Sequence, residues 1–314
     1  MTGAFDPQVA AWLAAYPPAD VDYRDVAAVR ALTERYMSEQ GGPRPRWVRD
    51  DVLLCETTVG GVPALIWRPR DADSDDRLPV VLAFHGGAFI VGAPLGAERV
   101  AASLAGDHGI VTVSVGYRLS PEHRAPAALD DARAALAGLA ALAGVDVDRV
   151  AVHGSSAGAA LAAGVALHAR DAGIRLVLQS LSCPALDSRT PSTCEKRHSM
   201  RGPSPTLTRD AAAAMWEHYL GDQDPMSPTL RYAVPALADD LRGVAPAHIT
   251  VAEFDVLRDE AVEYAGRLAA AGVDASVDLV PGTVHGFDGL LPDSAIARGA
   301  IQRQVDALAA ALMP

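Results

Sequence analysis

Apolar positions along this chain follow two rhythms. Short, mainly apolar runs at Pro79–Phe84, Ile110–Val115, Arg149–His153, Ile174–Gln179, Ala247–Ala252 and Ala275–Val280 recur between longer segments whose apolar residues fall at helical spacing. Runs of that length with little polar alternation suit parallel strands covered on both faces. The intervening stretches, about 97–107, 126–143, 159–170, 259–271 and 294–312, read as helices. Residues 52–59 and 62–67 alternate instead, and Gly60-Gly61 between them predicts an antiparallel hairpin. Ahead of the hairpin, residues 7–40 read as two helical pieces split by Tyr16-Pro17-Pro18, and the second stops at Gly41-Gly42-Pro43. A hairpin followed by repeated strand–helix units predicts an α/β fold, with a mostly parallel central sheet between helices and an antiparallel N-terminal edge.

One block breaks the rhythm. Residues 187–240 are rich in Pro, Ser and charge and hold one helical stretch, Thr208–Leu220. We read this insertion, with the N-terminal helices of residues 1–46, as a cap over the sheet. Residues 47–186 and 241–314 are then the two parts of one α/β core.

Composition narrows the function classes. Half of the 314 residues are hydrophobic, enough for a large core. A net charge of −12 argues against nucleic acid as a partner, because phosphate binding needs a basic face. Three cysteines, Cys55, Cys183 and Cys194, are widely spaced with no C-x-x-C, the pattern of reduced thiols in a cytoplasmic protein. The sequence shows no signal-peptide pattern at its start and no apolar run of membrane-spanning length. No group of His, Cys, Asp and Glu has metal-ligand spacing, Asp222 and Asp224 included, so no metal is expected.

The chemistry centres on Gly154-Ser155-Ser156-Ala157-Gly158, which follows the run 149–153 and opens the helix 159–170. This is the strand–turn–helix setting of a G-x-S-x-G nucleophile elbow, in which small flanking residues let a sharp turn present one hydroxyl. A serine hydroxyl needs a base, and the base needs an orienting acid. The partners of such an elbow follow in the order acid, then histidine. His285, in Pro281-Gly-Thr-Val-His-Gly-Phe287, and Asp255, in Phe254-Asp-Val-Leu-Arg-Asp-Glu260, stand in that order after separate strands. Glu253, Asp259 and Glu260 are local competitors for the acid, the last two better suited to the first turn of the next helix. The oxyanion hole is assigned to His85-Gly86-Gly87-Ala88, with the N–H groups of Gly87 and Ala88 joined by that of Ala157. Cys183 reads as a core residue. Arg197, His198, Met200, Met215 and Trp216 sit in the cap segment, where they could face an acyl or alcohol group, although a Met or Trp on a helix is more often core.

Taken in order, His85-Gly-Gly-Ala, Tyr117-Arg-Leu-Ser-Pro-Glu-His123, Pro126-Ala-Ala-Leu-Asp-Asp131, the elbow, Phe254–Glu260 and His285-Gly-Phe287 resemble the hormone-sensitive-lipase-like esterases of the α/β-hydrolase family, from about Trp47 to the C-terminus. The resemblance implies a serine carboxylesterase without cofactor, acting on small-molecule esters of short to medium acyl chain, and a homodimer is compatible with it. An acyltransferase, thioesterase or lactone hydrolase would use the same triad, whereas a non-catalytic receptor on this architecture would have a damaged one. Three departures from the family pattern stand out: Ala88 for a third glycine, Ser155 where Asp or Thr is common, and Ala159 where a second glycine is usual.

Overall fold

The computed structural model describes residues 4–17, 21–39, 45–73, 76–189 and 204–313. Helices α1 (Pro7–Ala15) and α2 (Val26–Glu39) precede the hairpin of β1 (Val52–Val59) and β2 (Val62–Pro69). Then follow β3 (Leu78–Phe84), α3 (Glu98–His108), β4 (Val111–Val115), α4 (Ala127–Gly138), β5 (Val145–Ser155), α5 (Ala157–Asp171) and β6 (Gln179–Ser182). Helix α6 (Arg209–Leu220) leads to β7 (Ala247–Phe254), α7 (Arg258–Ala270), β8 (Ala275–Val284), the single turn α8 (Phe287–Leu290) and α9 (Ala295–Leu312). The eight strands lie in the order β1-β2-β4-β3-β5-β6-β7-β8. β1/β2 and β2/β4 pair antiparallel, and every later pair is parallel.

Strand parity sorts the core into two layers. Val80, Leu82 and Phe84 of β3 and Val150 and Val152 of β5 pack toward α4, α5 and α7. Val81 and Ala151 face the other way, against Val100 and Leu104 of α3 and Ile301, Val305 and Leu308 of α9. Helix α5 is buried along almost its whole length, which its Ala- and Gly-rich sequence permits, because small side chains let it lie close to the sheet.

The polar surface of α2 is tied to the core by Arg30. Its guanidinium forks onto Glu122 at 2.6 and 2.8 Å and donates to the carbonyls of Ile90 and Ser120. Arg24 bridges in the same way to Glu217 on α6 at 2.8 and 2.9 Å. These pairs are exposed and individually weak, so they orient α2 more than they stabilise it.

Two elements differ from the sequence expectation. The sixth strand is Gln179–Ser182, not Ile174–Gln179. Val177 donates to Val150 on the approach, but the ladder runs only where β5 and β7 both reach, over Gln179, Ser180, Leu181 and Ser182. That stretch is mostly polar yet buried, and it finds partners on other elements: Gln179 Nε2 donates to the carbonyl of Ala245 at 2.8 Å, Ser180 Oγ meets His153 at 3.2 Å and Ser182 Oγ meets Asp288 at 2.7 Å. Hydrophobicity therefore points one step too early. β8 also runs on through Pro281-Gly282 to Val284, which an edge strand tolerates because one side of its ladder is unpaired. His285 is thus the first residue beyond the strand and not part of a longer loop.

Leu82 lies at the centre of the sheet with no exposed surface. Leu82→Ala is expected to destabilise the protein by about 3 kcal/mol through lost burial and the cavity left behind, read as a lower denaturant midpoint at unchanged m-value.

Candidate active site

The turn between β5 and α5 is set by two close approaches. A Cβ on Gly154 would lie 2.3 Å from the carbonyl oxygen of Gly158, and one on Gly158 would lie 2.2 and 2.3 Å from the carbonyl oxygens of Phe84 and His85. Only glycine fits at either end, so the pentapeptide spacing reflects packing against the end of β3. Between them Ser156 adopts φ 52° and ψ −118°, a conformation unfavourable for a residue with a side chain. Its N–H is held by the carbonyl of Ser182 at the end of β6, 2.8 Å away.

The three residues expected to cooperate do meet. Ser156 Oγ lies 2.9 Å from His285 Nε2, and His285 Nδ1 lies 2.7 Å from Asp255 Oδ2. The other carboxylate oxygen of Asp255 accepts the N–H of Leu257 at 2.9 Å, which fixes the plane of the acid. Asp255 is fully buried and the His285 side chain is 11 % exposed. Burial works against the charged imidazole, but the charge and hydrogen bond of Asp255, with a further contribution from Asp288, outweigh it and raise the His285 pKa above 6.5. The competing acids are used elsewhere. Glu253 accepts from Gly282, Asp259 pairs with Arg258, and buried Glu260 accepts the N–H groups of Leu186 and Asp187.

The loop after β3 curls over the elbow. Gly87 has φ 123°, and a Cβ there would sit 2.1 Å from the carbonyl oxygen of Val91. Ala88 and Phe89 follow at φ 53° and 61°. Alanine replaces the family's third glycine here while keeping the left-handed backbone. The carbonyl of Gly87 turns away to accept from Ile90 and Val91. The N–H groups of Gly87, Ala88 and Ala157 have no acceptor among the described residues. Gly86 abuts the nucleophile itself, since a Cβ on it would lie 3.5 Å from Cβ of Ser156.

Beneath this loop His85 is buried and stacked on Tyr117, ring centroids 4.2 Å apart, and its carbonyl accepts from the Tyr117 hydroxyl at 2.7 Å. Burial lowers the His85 pKa to about 4, so the ring is neutral, with Nδ1 2.8 Å from the carbonyl oxygen of Gly86. The bracing by Tyr117 has no local sequence signal, because the two residues meet only through β3 and β4.

Other expectations resolve as follows. Met215 and Trp216 are core residues, Trp216 packing its ring 5.7 Å from that of Phe89. Arg197, His198, Met200 and Cys194 lie outside the described residues. Cys183 is buried as expected, but beside the triad. Its Sγ, a carboxylate oxygen of Asp255 and a ring nitrogen of His285 lie within 4.8 Å of one another, a grouping no sequence spacing revealed. Burial and the charge of Asp255 push this thiol's pKa well up, which leaves it protonated and unreactive. No helix among the described residues is long and apolar enough to cross a membrane.

Gly158→Ala should destabilise the protein by about 3 kcal/mol, because its methyl meets backbone and not a movable side chain. Thermal melts together with binding of a serine-reactive phosphonate would check it; a stable variant with an intact, labelled Ser156 would refute this account of the elbow.

Comparison with known proteins agrees with the geometry. Residues 81–289 match the family profile described as the alpha/beta hydrolase fold. Over 243 residues the chain is 37 % identical to the esterase LipI of Mycobacterium tuberculosis, covering 76 % of this chain and 74 % of LipI. The solved structure of a bacterial heroin esterase superposes with TM-score 0.87 at 32 % identity, covering 99 % of both chains. An esterase from the bacterial hormone-sensitive lipase family superposes with TM-score 0.79 at 26 % identity, over 98 % of this chain and 99 % of that one. With the profile spanning well over half its length, the chain belongs to the α/β-hydrolase family, in its hormone-sensitive-lipase-like branch.

Proposed function

We propose that this protein is a serine carboxylic ester hydrolase acting on small-molecule esters of short to medium acyl chain, through an acyl-enzyme on Ser156. The observation that carries the reading is the continuous hydrogen-bonded line from Ser156 Oγ to His285 to Asp255, at 2.9 and 2.7 Å. Relatives at this level of similarity that bear the name esterase support the ester as substrate class.

His285 Nε2 takes the Ser156 proton as Oγ attacks the ester carbonyl carbon. The carbonyl oxygen becomes an oxyanion, met by the N–H groups of Gly87, Ala88 and Ala157, which no acceptor among the described residues occupies. Gly86 contributes closeness, letting the loop lie against the nucleophile. As the tetrahedral intermediate collapses, the C–O bond to the alcohol breaks and His285 passes the proton to the departing oxygen. Water then attacks the acyl-enzyme with His285 again as base, and the carboxylic acid leaves. Asp255 keeps the Nδ1–H tautomer and stabilises the imidazolium in both halves.

Helices α1 and α2, with the described part of the 187–240 insertion, form the cap of this site, a reading supported by the seat of Arg30 on the carbonyls of Ile90 and Ser120. Free thiols at Cys55 and Cys183 favour a reducing, cytoplasmic setting.

Ser156→Ala should abolish hydrolysis of p-nitrophenyl acetate and butyrate, a loss of at least about 10⁴-fold in kcat with the fold intact. In the wild type only neutral His285 acts as base, so kcat/KM must rise with pH. Because its pKa is raised, the midpoint of that limb should lie above 6.5. Asp255→Asn removes the main raising influence, so the midpoint should move to lower pH while kcat falls about 10⁴-fold. A rate profile flat from pH 5 to 8 would sink histidine as the base.

A further inference from the structure

The nucleophile and its base come from strands that are not neighbours. Ser156 follows β5 and His285 follows β8, with β6 and β7 between them in the sheet. The 2.9 Å contact from Ser156 Oγ to His285 Nε2 therefore inherits the slack of every intervening strand pairing, unless something spans the gap directly. Asp255 holds only the Nδ1 side of the ring.

One side-chain pair does span it. Ser182, the last residue of β6, is fully buried and bonds to both turns. Its carbonyl accepts the N–H of Ser156 at 2.8 Å, and its hydroxyl donates to Asp288 Oδ2 at 2.7 Å. Asp288 stands in the single turn α8, just beyond His285, and its other carboxylate oxygen accepts the N–H of Gly289 in that turn. The same turn is anchored in the core by Phe287, buried in the apolar cluster that holds Cys183, Ala252 and Val284. The bonds close a ring. It runs from Ser156 through the backbone bond to Ser182, across to Asp288, along the turn to His285, and back to Ser156 Oγ. A hydroxyl donating to a carboxylate makes a short, strong bond, and here the donor is shielded from water. The two turns it joins are the two whose separation sets the reacting distance, where a displacement of about 1 Å costs on the order of 100-fold in rate.

We propose that Asp288 is a positioning residue for His285: held by Ser182, it fixes the turn that carries the base against the turn that carries the nucleophile. The inference rests on the ester-hydrolase reading above. Asp288 acts through His285 and takes no part in the proton transfer itself.

Hydrolysis of p-nitrophenyl acetate by Ser182→Ala, Asp288→Ala and the double variant tests it. Each single variant should lose about 10-fold in kcat at unchanged KM, near the lower end of what one hydrogen bond to a charged group contributes. The double variant should lose no more than either single, because both remove the same strut. Asp288→Asn should restore most of the rate, since its amide nitrogen can donate to the Ser182 hydroxyl while its oxygen still accepts from Gly289. Should Ser182→Ala fold poorly, Asp288→Ala against Asp288→Asn decides the matter alone. Losses that multiply in the double variant, losses in KM instead of kcat, a wild-type kcat in Asp288→Ala, or an Asp288→Asn as slow as Asp288→Ala overturn the inference alone. No hydrolysis by the wild type overturns the ester-hydrolase reading and this inference with it.

Discussion

The contact on which the site depends is the seat of Gly158 against the carbonyls of Phe84 and His85. It brings the first turn of α5 hard against the C-terminal end of β3. That single approach does two things at once. It forces Ser156 into its unfavourable backbone conformation, and it sets the loop carrying Gly87 and Ala88 directly over the nucleophile. Strain of this kind persists only where the surroundings over-determine it, and here they do. The Ser156 N–H is pinned by Ser182, α5 is buried on nearly every face, and residues 79–84 of β3 and 150–154 of β5 are buried.

Electrostatics then divides the two histidines of the site into different roles. Both are buried, and burial alone lowers the pKa of an imidazole. His85 has only the carbonyl of Gly86 to set against its burial and stays neutral, stacked on Tyr117 under the Gly87-Ala88 loop. His285 has Asp255 at 2.7 Å and feels Asp288 as well, so its pKa rises. One residue type is thus held neutral in one place and made more basic in the other. Cys183 obeys the same rule in reverse: burial beside a carboxylate keeps its thiol protonated and out of the chemistry.

Much of this was legible in the chain. The buried-strand runs, the Gly60-Gly61 hairpin and the helical segments of Ala and Leu yielded the α/β architecture, because burial on both faces demands unbroken apolar stretches. The elbow and the ordered positions of Asp255 and His285 were readable because G-x-S-x-G is a steric requirement and each partner follows a strand. What escaped was wherever buried polarity is satisfied at long range. β6 was misplaced because Gln179, Ser180 and Ser182 are buried with partners on other elements, and a hydropathy pattern treats them as surface.

The sequence by itself determined the repertoire: which strands are covered on both faces, which turn admits no side chain, and which serine, acid and histidine stand in catalytic order. These are local properties of side-chain size, polarity and spacing. Tertiary structure alone decided which charges and donors meet. Asp288 beside His285, Cys183 against Asp255 and Tyr117 under His85 all join residues brought together by the parallel sheet order and its crossovers. Proton affinity depends on those distances and on burial, neither of which is written in neighbouring residues.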